Sequence, residues 1–212
     1  FRRVLFRSDL LMFDILFKGG RIIDPANNID AILDIAVTGR QISRIARDIP
    51  AGDAIKTVPV EGLIITPGLV DIHVHSYGGY EGWLVPDAHM LPNGVTTVVD
   101  TGGAGWKKFE HFRKSIIETS KTRVLALINI VGAGMEGRVE QEVAEMLAEP
   151  CAEMIDKHRD VVVGSKTAHF GGPGWEAVDG AIAAARMSNT IAMIDFAPQP
   201  TRSYRDLLLE KM

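Results

Sequence analysis

The sequence predicts an α/β protein: a partial TIM-like (β/α)8 barrel of about five βα units, preceded by a small antiparallel β domain. Three observations carry this expectation. From Leu69 onward, apolar strands alternate with amphipathic helices, the pattern of a parallel sheet with right-handed crossovers. Before Leu69 the chain reads as short strands separated by turns. Polar residues also fall at the C-terminal ends of several strands: His73, His75, Asp100, Lys166 and Asp195. Barrels build their sites from such strand ends. An open sheet holding a nucleotide would show a glycine fingerprint after its first strand. Tyr77-Gly78-Gly79-Tyr80 is too weak for that, and Gly102-Gly103-Ala104-Gly105 follows a second strand with the wrong spacing.

The elements follow in order. Residues 1–8, Phe1-Arg2-Arg3-Val4-Leu5-Phe6-Arg7-Ser8, look like a translated sequencing adapter and are set aside; a basic N-terminal arm is the alternative. Residues 9–67 make the β-rich domain. Strands 14–18 and 21–24 are separated by Gly19-Gly20, a hairpin or bulge signal. Pro25-Ala26-Asn27-Asn28 is a turn, 31–38 a strand and Gly39-Arg40 a tight turn. Strands 41–46, 54–60 and 63–65 follow, in a sheet that needs a partner for its apolar face.

Residues 68–212 make the first part of the barrel. Its strands are 69–75, 96–100, 123–130, 160–166 and 190–196. Helix 107–120 carries Phe109, Phe112, Ile116 and Ile117 at helical spacing, and 139–147 carries Val139, Val143, Met146 and Leu147 likewise. Cys151, Met154 and Ile155 continue that pattern after Pro150. Helix 175–187 follows Pro173, and 203–211 begins with Ser203 as a cap. A closed barrel takes eight strands and about 250 residues. The chain stops inside a helix at Glu210-Lys211-Met212, so the barrel is expected to be truncated, and the fragment alone inactive and poorly folded.

The strand Gly68-Leu69-Val70-Asp71-Ile72-His73-Val74-His75 organises the second part. Alternate side chains share a face, so the two imidazoles stand roughly 6.6 Å apart along the backbone, leaning the same way. Neutral imidazole is the commonest metal ligand among side chains. Val70, Ile72 and Val74 make the other face apolar, and Thr66-Pro67-Gly68 turns the chain just before it. The expectation is a buried strand aiming polar groups at a cavity.

Composition narrows the function classes. The chain is 46% apolar and 24% charged, as soluble globular proteins are. Its net charge of −4 offers nothing to nucleic acid or an anionic membrane, and no apolar run is long enough to span a bilayer. The single cysteine, Cys151, excludes an internal disulfide framework, fits a reducing compartment such as the cytoplasm, and sits in an apolar helix pattern that suggests plain packing.

The run Gly62-Leu63-Ile64-Ile65-Thr66-Pro67-Gly68-Leu69-Val70-Asp71-Ile72-His73-Val74-His75 resembles the start of the barrel in the amidohydrolase superfamily, in particular its dihydroorotase and amidohydrolase/deacetylase branch. The resemblance extends through Asn93-Gly94-Val95-Thr96-Thr97-Val98-Val99-Asp100 and Val161-Val162-Val163-Gly164-Ser165-Lys166, and covers nearly all of residues 14–212. It implies a metal-dependent hydrolase with one or two divalent ions, commonly Zn2+, acting on a small-molecule substrate, the full-length parent being a homo-oligomer. His73 and His75 would hold the more buried ion, and Lys166 would be carboxylated by CO2 to a bridging carbamate. An aspartate on the eighth strand, beyond Met212, would act as base. The fifth strand departs from the family: Ile191-Ala192-Met193-Ile194-Asp195-Phe196 has Asp195 where a histidine is usual, and a carboxylate also ligates zinc.

The chemistry agrees. Desolvation favours a neutral Lys166 amine, which can add CO2 and become an anionic ligand. A metal lowers the pKa of its water from 15.7 to about 7 and polarises a carbonyl, so amides, cyclic amides and esters are natural substrates. His169, in the loop after Lys166, is a substrate contact. Asp100 is either a substrate contact or a structural partner of the turn 102–105. His111, His158 and His89 read as solvated helix residues. The competing class is a non-catalytic amidohydrolase-like scaffold working as an oligomeric interaction protein.

Overall fold

The computed structural model describes residues 12–78 and 83–211. The adapter-like stretch 1–8, and Gly79 and Tyr80 of the weak glycine motif, lie outside the described residues. The chain divides into two compact units between Pro67 and Gly68. No described helix is long and apolar enough to cross a membrane.

The first unit is a sheet of β1 (Phe13–Asp24), β2 (Ile29–Thr38), β3 (Gln41–Ala46), β4 (Ala54–Pro59) and β5 (Ile64–Ile65). β1 pairs antiparallel with β2, and β2 with β3. β4 and β5 run parallel to β1, so the sheet is mixed, which corrects the antiparallel expectation. The reason lies at Gly19-Gly20. The chain bulges there instead of turning: β1 runs on to Asp24 with a register shift between Phe17 and Gly20. The displaced Gly19 N–H donates to the buried Asp34 carboxylate at 2.8 Å. A long β1 leaves an edge for β4, and the crossing through residues 47–53 returns the chain in the same direction. Leu16, Ala36, Ile49 and Ala54 form the core of this unit.

The second unit is built on β6 (Leu69–Val74), β7 (Val95–Gly105), β8 (Arg123–Asn129), β9 (Val162–Thr167) and β10 (Ile191–Ile194). They pair in chain order and all in parallel, the curled sheet of a partial TIM-type barrel. Gly68 admits the chain to this sheet: a Cβ there would lie 2.0 Å from Thr96 Oγ1. The helices are α1 (Pro86–His89), α2 (Phe109–Phe112, continued by a wider turn at Arg113–Ile117), α3 (Ala148–Lys157), α4 (Glu176–Ser188) and α5 (Tyr204–Asp206, continued at Leu207–Lys211). Phe109, Phe112, Cys151, Ile155 and Ala181 share a core with Val98, Ala126 and Ile128. Cys151 is fully buried and burial pushes its thiol up to about 12, as suits packing. Ser203 caps α5 reciprocally with Asp206.

Three expectations are corrected in this unit. Residues 139–147 are not an α-helix but two 3-10 turns, Gly137–Gln141 and Val143–Glu145. Their apolar residues do not share a buried face: Val143 and Leu147 are exposed, while Glu140 is buried. Pro150 sits in the first turn of α3, where no intrahelical N–H is lost. β6 is an edge strand rather than a buried one; Leu69, Val70 and Ile72 are more than half exposed, because β7 pairs with it on one side only and nothing described covers that face. His158 is buried, not solvated. Its ring lies 5.0 Å from Phe109 and its two nitrogens meet Arg113 at 2.9 Å and Glu110 at 3.0 Å.

Candidate metal centre

Parallel pairing brings the C-terminal ends of β6 to β10 to one rim, and the register sets who faces whom. Val74 pairs with Asp100, Asp100 with Ala126, Asn129 with Lys166, and Lys166 with Met193. Polar residues are therefore buried at successive strand ends: Asp100, Asn129 and Lys166 each have no exposed surface.

His73 and His75 lie with ring centroids 5.6 Å apart in an edge-on arrangement, as same-face strand neighbours do. His73 is exposed and His75 half-buried, its ring 5.4 Å from that of Trp83. Burial lowers the His75 pKa below the ordinary imidazole value; Asp100 opposes this, while the charges of Lys166, His73 and His169 push the same way. A neutral ring keeps a lone pair for a metal. His75 Nδ1 is a buried nitrogen without a hydrogen-bond partner among the described residues.

Lys166 is another buried group left open, as is Nε of Arg202. Lys166 Nζ makes no hydrogen bond among the described residues. The Asp195 carboxylate, just past β10 and partly exposed, lies 3.7 Å away, a charge contact too long for a hydrogen bond. Burial lowers the Lys166 pKa against the opposing pull of Asp195 and Asp100. Gly102 makes room for the lysine stem: a Cβ there would lie 2.8 Å from Lys166 Cγ, and its φ of 83° suits glycine. Asn129 holds that glycine, donating from Nδ2 to the Gly102 carbonyl at 3.1 Å.

Asp100 takes a different part. Its carboxylate accepts from Ser76 N–H at 2.6 Å, Ser76 Oγ at 3.0 Å, Tyr77 N–H at 3.1 Å and Gly103 N–H at 2.8 Å. It ties the loop after the two histidines to the loop after β7, and burial raises its pKa against those bonds. With no exposed surface and both oxygens engaged, Asp100 clips the two loops together. His169 stands on the loop after β9, its side chain 56% exposed and its Nδ1 2.9 Å from Glu140 Oε2. A φ of 53° puts it in the left-handed region, which costs a non-glycine residue roughly 1–2 kcal/mol.

The described residues thus bring His73 to His75 and Lys166 to Asp195. They do not gather three His, Cys, Asp or Glu side chains at metal-holding geometry. The donor types still suit a divalent ion, since the open atoms are a neutral imidazole nitrogen and a buried amine. Sequence reasoning missed Gly102, Asn129 and Glu140. Asn129 could have been found as a polar residue ending an apolar strand; Glu140 was hidden inside an apparent helix.

No protein-family model matches the chain. It is 40% identical over 108 residues to a Brucella anthropi deacetylase, covering 50% of this chain and 27% of that protein. It is 29% identical over 164 residues to a dihydroorotase of Geotalea daltonii, covering 70% of this chain and 37% of that one. The solved structure of a dihydroorotase superposes with a TM-score of 0.81 at 25% identity, over 92% of this chain and 54% of the other. The chain spans about a third of the length of these two curated relatives and about half of that solved structure.

Proposed function

We propose that this chain, similar in sequence and fold to the dihydroorotases and deacetylases of the amidohydrolase superfamily, carries the metal-binding part of a hydrolase that directs water onto an amide, cyclic amide or ester carbonyl. The observation that carries the reading is Lys166: a fully buried amine at the end of a barrel strand, 3.7 Å from the Asp195 carboxylate and without a hydrogen-bond partner among the described residues. His73, His75, Asp195 and Lys166 would hold the divalent ion, Zn2+ by the resemblance. The ion supplies a Lewis acid for the carbonyl and acidifies its water. Lys166, biased toward the neutral amine, can add CO2 through Nζ with loss of one proton and offer an anionic oxygen in place of a cation. Asp100 holds the loop behind the histidines, and His169 faces the substrate, a small molecule. Residues 9–67 and 68–212 serve as separate domains of a cytoplasmic, homo-oligomeric enzyme.

The uncovered edge at Leu69, Val70 and Ile72 leaves apolar surface wet and backbone groups unpaired. The 212 residues alone are therefore expected to turn over no substrate. Zinc titration with native mass spectrometry tests the site: the chain should take up zinc and show the added mass of one CO2, and His73→Ala and Lys166→Met should each lose both. Equal zinc content in all three proteins sinks the assignment. That the described residues gather no three-ligand cluster favours a second reading, a non-catalytic scaffold, for which zinc would not bind and only self-association would be seen.

A further inference from the structure

Arg202 lies on the loop after β10 and is 2% exposed. Its Nη2 donates to the Phe170 carbonyl at 2.8 Å and its Nη1 to the Gly174 carbonyl at 2.9 Å, both on the loop after β9. The guanidinium stands 5.4 Å from the Phe170 ring centroid and 5.2 Å from that of Phe196. Burying a cation is costly, and here two carbonyls and two ring faces offset the cost. Even so, Nε is left without a hydrogen-bond partner among the described residues. What this arginine does, and an apolar side chain of the same size could not, is tie one loop to the other through a planar fork.

Both loops start at the candidate metal centre. Lys166 and Thr167 close β9, three residues before Phe170, and Asp195 immediately precedes Phe196. The Asp195 N–H donates to the Thr167 carbonyl at 3.1 Å, the last sheet-like bond of β10. Beyond it Phe196 anchors the departing chain. Its ring stacks on Trp175 with centroids 5.5 Å apart and planes 9° from parallel, and its carbonyl accepts from Tyr204 Oη at 3.2 Å. The Asp195 carboxylate is 44% exposed and 3.7 Å from Lys166 Nζ, too far for a hydrogen bond to fix it. Its direction is therefore set by the backbone on either side, held by Thr167 before it and by Phe196 after it.

We propose that Arg202 is a positioning residue for the candidate metal centre: acting through Phe196 and the carbonyls of the β9 loop, it sets the Asp195 carboxylate beside Lys166. The inference rests on the hydrolase reading, in which Asp195 and Lys166 are ligands. Arg202 touches neither of them. It fixes the distance between the two strand ends that carry them, as groups behind a metal ligand commonly do.

The test is a double-mutant cycle on zinc affinity, measured by competition with a chelating dye for the 212-residue chain, Arg202→Met, Asp195→Ala and the double variant. Arg202→Met alone should weaken zinc binding about tenfold or more, the loss typical when a group behind a ligand is removed. Asp195→Ala should weaken it too, and in that background Arg202→Met should change it by less than about twofold. A residue that merely holds the fold would weaken zinc in both backgrounds alike. Phe196→Leu removes one ring face and leaves both carbonyl bonds. It should show the same dependence on Asp195 with a smaller loss, and it serves as the test if Arg202→Met does not fold. Equal losses with and without Asp195, or no loss from either variant in a chain that binds zinc, overturn the positioning role and leave the hydrolase reading standing. No zinc uptake by the unaltered chain overturns that reading, and the positioning role with it.

Discussion

Asp34 in the first unit and Lys166 in the second are both charged groups taken out of water, and they are treated in opposite ways. Asp34, 2% exposed, accepts from Gly19 N–H at 2.8 Å, Ile49 N–H at 2.9 Å and Lys18 Nζ at 2.9 Å. Lys166 has no exposed surface and its Nζ donates to no partner among the described residues. A buried polar group that is fully bonded offsets its desolvation; one left open does not. The first arrangement is accounted for by stability alone. The second opposes folding, which is why the proposed function is placed on that amine.

The largest effect should come from breaking the satisfied site. Asp34→Ala strands the Gly19 and Ile49 N–H groups and takes one of the three partners of Lys18 Nζ, and is expected to cost about 3 kcal/mol, read as a lower denaturation midpoint with faster amide exchange at Ile49. The open site should behave the other way. Lys166→Met removes an uncompensated buried amine, so metal-free stability should hold or rise by up to about 2 kcal/mol, while zinc uptake is lost. A clear destabilisation of metal-free Lys166→Met would erase the contrast. A smaller effect, about 1 kcal/mol, is expected from Ser76→Ala, which takes one hydroxyl bond from Asp100 and leaves the backbone donors in place.

The last prediction uses pH. Burial leads the causes that lower His75 below its ordinary 6.5, so the folded state prefers the neutral ring. That contribution is full above 6.5 and is lost as pH falls from there through the lower folded value. Asp34 is raised by burial but lowered more by the Ile49 N–H, Lys18 and Gly19 bonds, so its contribution is full above 3.8 and is lost only below it. Between pH 7 and 5, amide exchange should therefore quicken around β6 and not around Asp34, and His75→Gln should flatten the change. Equal sensitivity in the two units would show that the imidazole is not the group responding.

The strands of the partial barrel, α4 and the Ser203 cap were legible because apolar period and capping chemistry are properties of neighbouring residues. The failures have one cause. Gly19-Gly20 signalled a hairpin or a bulge equally well, and the acceptor that decided for the bulge, Asp34, lies fifteen residues on. Residues 139–147 carry helical spacing, but Glu140 is drawn into the interior and the helix is given up. Val70 and Ile72 looked like a buried face; whether such a face is covered depends on neighbours that local pattern does not name.

The candidate site divides along the same line. The sequence by itself determined which residues could do chemistry and at which strand ends they stand: the imidazole pair of β6, the lysine closing β9, the carboxylate after β10. Spacing along a strand and the parallel rhythm are enough for that. Only the tertiary structure decided what each one meets. It made Asp100 a clip for Ser76 and Gly103, left the Lys166 amine and a His75 nitrogen open, and set Glu140 against His169 across twenty-nine residues. Those pairings depend on strand register and on two loops crossing at the rim, where hydrogen bonds form over a few ångströms between residues far apart in the chain.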